Sequence, residues 1–198
     1  MILPIYTYGQ PVLRKVAQDI TPDYPELPKL IEDMFETMYR SEGGGLAAPQ
    51  IGKDIRVVVV TLDVLKDEYP EYAAFNHAYI NPHILEYDDS ETKTMDEGCL
   101  SLPGIHEPVK RPTRILVRWM EPDFTEREEW VDGYLARVLQ HEIDHLEGKV
   151  FTDRLTPLRK QMIRSKMTAL VKGKFRCGYK TKYIRPLPLF SPTLCAHS

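Results

Sequence analysis

The chain has 198 residues, of which 42% are hydrophobic and 28% charged, and its net charge is −3; that suits one domain with one sizeable core and gives no basic excess to draw it onto nucleic acid or an anionic membrane. No run of about 18 apolar residues is present to span a bilayer, and the opening MILPIYTYGQ, interrupted by Pro4 and without a basic segment, predicts no secretory signal. Three cysteines are too few for a disulfide framework, so a reducing, cytoplasmic compartment is expected, in which a cysteine near histidines serves as ligand or catalyst.

In chain order, Leu27, Ile31, Met34 and Met38 share one face, widened by Leu30 and Phe35, and predict an amphipathic helix over 21–40. Pro25 and Pro28 belong before or within its first turn, and Gly43, Gly44 and Gly45 end it near Ser41. The β-branched run 55–61 predicts a buried strand, and the polar stretch 63–77 a loop. Short strands are expected at 80–87 and 105–109. A further strand over 113–120 puts Ile115, Val117 and Trp119 on one side and pairs with 126–131 across a turn at 121–124. Asp132-Gly133 opens a helix to Leu146, closed by Gly148. Thr156 caps another helix, with Pro157 in its first turn and Gly173 at its end. The region 159–182 is fairly basic. The tail 174–198 holds Pro186, Pro188 and Pro192, shows no period, and is expected to be extended or poorly ordered. No internal repeat is present. The order predicts an α+β fold in which a single catalytic domain, 1–173, packs a mainly antiparallel sheet around the helix at 133–146, with an N-terminal and a C-terminal helix.

The sharpest chemical signal is His141-Glu142-Ile143-Asp144-His145. Histidines four apart lie one above the other on a helix face, so both imidazoles can reach one metal ion. Glu142, offset by one residue, can stand beside the ion's water without being a ligand and can take its proton. Val138, Leu139, Ile143 and Leu146 spread around this helix and predict burial on most sides, where a histidine needs a partner. A third ligand is required. Cys99, in Glu97-Gly98-Cys99-Leu100-Ser101, is the best placed. His77, His83, His106 and His197 have no comparable setting, and Cys177 and Cys195 are read as incidental. The run Gly43-Gly44-Gly45-Leu46-Ala47-Ala48-Pro49-Gln50 allows close backbone approach to a ligand. No Gly-Lys-Ser/Thr follows, so it is not a phosphate loop, and the Gln50 amide is a donor suited to a developing oxyanion. On residues alone, a metal-dependent hydrolase competes with two other readings. One is a zinc metallopeptidase with Glu147 or Asp153 downstream as third ligand. The other is a structural metal site closed by Cys177 or Cys195.

GGGLAAPQ, EGCLS and QHEIDHLEG, in this order in one chain, resemble the peptide deformylases. The resemblance covers most of 13–158 and takes in PVLRKVA, Asn81-Pro82 and the PGI and RP segments after EGCLS. It implies Cys99, His141 and His145 as metal ligands and Glu142 as the catalytic acid–base. It implies that Gln50 and the backbone N–H of Leu100 stabilise the oxyanion and that the backbone of Gly45 positions the substrate. Gly43, Tyr134 and Val138 then border the substrate. The implied reaction removes the N-formyl group from the N-terminal formyl-methionine of newly synthesised polypeptides and releases formate. The implied cofactor is one divalent ion per chain, Fe2+ by preference, with Zn2+, Ni2+ or Co2+ able to replace it; the ligand set alone would have pointed to zinc. The expected partner is the nascent peptide near the ribosomal exit tunnel, met by a monomer that binds neither membrane nor specific nucleic-acid sequence. Gly44 stands where the family has Val or Ile, a change expected to loosen the substrate-binding edge.

Overall fold

The computed structural model describes residues 1–183. Helix α1 spans Leu27–Arg40, six residues shorter at its start than the expected 21–40. Glu26 adopts a left-handed conformation (φ 55°) just ahead of it, and Pro28 fills the first turn, where a backbone N–H has no helical partner in any case. The helix stops at Ser41, whose N–H returns to Thr37 and Met38. Leu27, Leu30, Met34 and Met38 are buried, as their spacing requires.

One antiparallel sheet carries the rest of the fold. Strand β1 (Ile5–Tyr6) lies outside it. The sheet runs β2 (Gly45–Ala47), β3 (Val57–Thr61), β4 (Asn76–Gly98), β5 (His106–Met120) and β6 (Glu126–Asp132), in that order across the sheet. The four-valine run of β3 is divided by the period of two. Val57 and Val59 pack with α1, while Val58 and Val60 face the opposite cluster. A strand covered on both faces reads as continuous apolar sequence, and each fully buried valine contributes roughly 1.5–3 kcal/mol.

The short strands expected at 80–87, 105–109 and 113–120 are parts of two long ones. β4 continues through the polar stretch 88–98, which is exposed over much of its length and so shows no alternation. β5 continues through Pro112, which pairs with Thr92 beside a register shift, the kind of irregularity at which a strand accommodates proline. β6 matches the expected hairpin partner, and its turn is closed by Glu121 N–H to Thr125 O and Phe124 N–H to Glu121 O.

Helix α2 (Gly133–Leu146) packs Ala136, Leu139, Ile143 and Leu146 against Val58, Val60, Ile115, Val117 and Trp119. It ends at Gly148, whose φ of 67° suits glycine and where a Cβ would meet Arg14 O at 2.8 Å. Asp132 precedes the helix without a side-chain cap bond. Helix α3 (Pro157–Val171) opens with Thr156 Oγ accepting from Arg159 N–H. Beyond it the chain doubles back, and β7 (Thr181–Lys182) pairs in parallel with β1. That stretch of the tail is extended and docked; Pro186, Pro188 and Pro192, like Cys195 and His197, lie outside the described residues. No helix among the described residues is long and apolar enough to cross a membrane.

Candidate metal centre and active site

Helix geometry and one strand end bring three donors together. His141 and His145 stand one turn apart on α2, ring centroids 5.2 Å apart. Cys99 follows the last residue of β4, in a turn closed by Leu102 N–H to Cys99 O at 2.9 Å. The ligand atoms of Cys99, His141 and His145 lie within 4.8 Å of one another. Among the described residues no other group of three or more His, Cys, Asp or Glu is so arranged. His77 instead faces Glu121, and His83 faces Asp19. His106 lines the cleft but is not in the donor cluster. The carboxylates available to a metallopeptidase are engaged elsewhere, Glu147 with Arg56 and Asp153 with Arg14.

The donor chemistry fits a cation. Burial alone would raise the Cys99 thiol, but the charge of His145 and hydrogen bonds from both histidines outweigh it and bring it to about 5. Sulfur is therefore thiolate at neutral pH, and Ser101 N–H (3.4 Å) and Gln50 Nε2 (3.5 Å) also point at it. Burial would pull the His141 imidazolium down, yet Cys99 and Glu97 together hold it well above its ordinary value. The pairing of a thiolate with an imidazolium shows that the site favours positive charge beside the sulfur. A divalent ion would take that place and release the proton.

Glu97 sets the geometry of His141. Its Oε2 lies 2.9 Å from His141 Nδ1, which fixes the proton there and leaves Nε2 for a metal. The same carboxylate accepts from Arg111 Nε (2.6 Å) and Nη2 (2.8 Å) and from Arg137 Nη1 (2.8 Å). Arg111 continues to Asp144 (2.7 Å), which also takes two hydrogen bonds of 2.6 Å from Arg154. No role for Glu97, Arg111, Arg137, Asp144 or Arg154 is legible in the local sequence. Two signals were available: Glu97 precedes Cys99 by two residues, and Asp144 sits inside the HEIDH motif on a helix otherwise expected to be buried.

Glu142 differs from these carboxylates. It is 4% exposed, and its Oε2 has no hydrogen-bond partner. Burial pushes its carboxyl up, with His141 and His145 pulling the other way. It lies directly against β2, and a Cβ on Gly45 would come within 2.5 Å of its Oε1. Gln50, in the helical turn Ala48–Ile51, accepts from Ala47 N–H through Oε1 (2.8 Å), which turns its amide donors toward Cys99 and Ser101. These groups border a cleft of about 690 Å³ that also takes in Gly43, Gly44, Leu100, Tyr134, Val138 and Cys177. His145 is fully buried beneath it.

An antiparallel sheet packed on α2, with three clustered donors and a buried carboxylate beside them, is the arrangement of a hydrolase with a possible metal site. A family model described as polypeptide deformylase matches residues 2–161. The chain is 43% identical over 190 residues to the peptide deformylase of Flavobacterium johnsoniae, covering 92% of this chain and 96% of that one. Its fold is similar to the crystal structure of the Thermotoga maritima peptide deformylase, with a TM-score of 0.71 and 42% identity over 79% of this chain and 99% of that one. It is also similar to a Plasmodium falciparum peptide deformylase, with a TM-score of 0.74 and 31% identity over 85% and 99%. The chain belongs to the polypeptide deformylase family, hydrolases that remove the N-formyl group from newly synthesised polypeptides.

Proposed function

We propose that Cys99, His141 and His145 hold one divalent ion and that Glu142 is the acid–base group for hydrolysis of formyl-methionyl peptides. The observation that carries this reading is the unpaired Glu142 Oε2, buried beside three converging donors in an open cleft. A thiolate with two imidazoles suits zinc or iron, and the family resemblance favours Fe2+. The bound ion supplies Lewis acidity toward the formyl oxygen and toward water. Glu142 takes the proton of the attacking water and returns it to the departing amine nitrogen, a role that a raised carboxyl value serves at neutral pH. Gln50 Nε2 and the Leu100 N–H share the charge that develops on the formyl oxygen. The peptide backbone lies along β2, the edge strand of the sheet, where Gly45 keeps Glu142 within reach. Gly43 borders the same path, and Tyr134 and Val138 face the methionine side chain. A formyl carbon bears no side chain, so a narrow site admits it and excludes bulkier acyl groups. A nascent-chain substrate supports a cytoplasmic reading, in which Cys99 stays reduced.

The test is formate release from a formyl-methionyl tripeptide by anaerobically purified, metal-loaded protein, with and without chelator. Chelator-sensitive release is expected. Glu142→Ala should keep its metal while turnover falls by about 10²–10⁴; full turnover in that variant overturns the acid–base assignment. Cys99→Ala should lose metal affinity, and unchanged metal content removes Cys99 from the ligand set.

A further inference from the structure

We propose that the segment after α3 is a working wall of the cleft, in which Tyr179 is a positioning residue that fixes the Leu100–Ser101 peptide next to the metal ligands. This rests on the functional reading above for the role of Leu100, but the geometry that motivates it does not. Tyr179 OH donates to Leu100 O at 2.8 Å. The N–H of that same peptide unit, carried by Ser101, points to Cys99 Sγ at 3.4 Å. One peptide plane is therefore gripped at its carbonyl by Tyr179 and presents its N–H to the thiolate. The preceding N–H, that of Leu100, is the proposed oxyanion donor. A rotation of this plane would disturb a ligand and an oxyanion contact together.

The wall is anchored from both directions. Ile5 N–H donates to Lys180 O (2.9 Å) and Thr7 N–H to Lys182 O (3.0 Å), which ties the tail to β1. The next N-terminal residue reaches the ligand turn itself, with Tyr8 N–H donating to Ser101 O at 2.8 Å. The ligand turn is thus held at two successive carbonyls, by Tyr179 and by Tyr8. The Tyr179 ring packs against the α1 and β3 cluster. Burial, with the nearby Cys177 and Cys99, pushes its phenol up, so the hydroxyl remains a donor throughout the neutral range. The doubling back is built into the chain. Gly173 has φ +71°, and a Cβ there would meet Tyr183 at 2.5 Å. Arg176, Cys177 and Gly178 complete the wall beside Tyr179.

The test uses Tyr179→Phe in the full chain, which keeps the ring and removes only the hydroxyl. With metal-loaded protein, kcat should fall about five- to tenfold while KM stays within about twofold, the scale of one neutral hydrogen bond acting on the turnover step. In cobalt-loaded protein the thiolate-to-metal charge-transfer band, read per bound cobalt, should shift, because the Ser101 N–H to sulfur contact changes. Lys182→Ala removes only a side-chain contact of the tail with Tyr6 and keeps the backbone bonds that dock it on β1; both readouts should match the unmutated chain. An unchanged kcat and an unchanged band in Tyr179→Phe overturn the proposal, as does a kcat loss that Lys182→Ala reproduces without a band shift. If the unmutated chain releases no formate, the functional reading fails, and the band shift alone then decides whether Tyr179 fixes the ligand turn.

Discussion

Beneath His141 the cleft is floored with charge. Glu97, Arg111, Arg137, Asp144 and Arg154 are linked by hydrogen bonds of 2.6–2.8 Å, and Arg111 is fully buried. At the rim, residues 43–45 present only backbone. The floor holds its geometry because each buried ion has partners, and removing one leaves the others desolvated and uncompensated. The rim holds its geometry by having no side chains, and there the three glycines are not equal. A Cβ on Gly45 would collide with Glu142, and one on Gly43 would press on Leu100 Cδ1 at 2.9 Å, whereas one on Gly44 would meet nothing nearer than Thr61 O at 3.7 Å. The floor tolerates little because everything is paired; the rim tolerates change at one residue and not at its neighbour.

The floor is broken most directly by Glu97→Ala. Loss of the carboxylate shared by two arginines and His141 should cost about 3–5 kcal/mol of stability in denaturant titration. Metal affinity should fall about 10- to 100-fold as His141 loses its orienting partner. A loss below 1 kcal/mol would show the network to be incidental. Gly45→Ala attacks the rim where it meets the floor. Displacing Glu142 by even about 1 Å should cut turnover about 100-fold with metal content unchanged, so loss of the metal itself would contradict the placement. Acid should find the floor before the rim. Burial raises Glu97 and Asp144, but their arginines, with His141 for Glu97, outweigh it and hold both below their ordinary values of 4.5 and 3.8. Their contribution is complete above those values and is lost as pH falls below them, toward the lowered folded-state values. Thermal stability should therefore drop below about pH 4.5, and less steeply in Glu97→Gln. The smallest effect is expected at Gly44→Ala. Its φ is not in the left-handed region, and the space is open. The substitution should stabilise the chain by about 0.4–1 kcal/mol through the unfolded state. Destabilisation would mean that Gly44 is conformationally required after all.

The contrast between floor and rim also explains what could be read from sequence. His141, Glu142 and His145 announce themselves because helical spacing alone aligns them. Cys99 and Gln50 stood out for residue type and setting, and the structure brings both to the same cleft. The ionic floor was not legible, because its bonds join residues 10 to 40 positions apart and no local pattern marks which arginine meets which carboxylate. The continuation of β4 through 88–98 was hidden for a related reason. An arm exposed over much of its length is paired by backbone, and period-two alternation vanishes without a buried face to impose it. The start of α1 was misplaced because its apolar spacing says nothing of Glu26, whose left-handed backbone sets the boundary. The docking of the tail, whose partner in β1 lies some 175 residues earlier, left no trace in composition.

That last pairing imposes an order on the birth of the molecule. β1 precedes every other element and its partner β7 comes after α3, so the small parallel pair closes only when nearly all the described chain has emerged. Contacts of such long sequence separation form late. The turn bearing Cys99 is steadied from both ends of the chain, by Tyr8 and by Tyr179. An enzyme that acts on unfinished proteins thus has the turn bearing Cys99 steadied in full only after the segment beyond α3 has met the N-terminal strand.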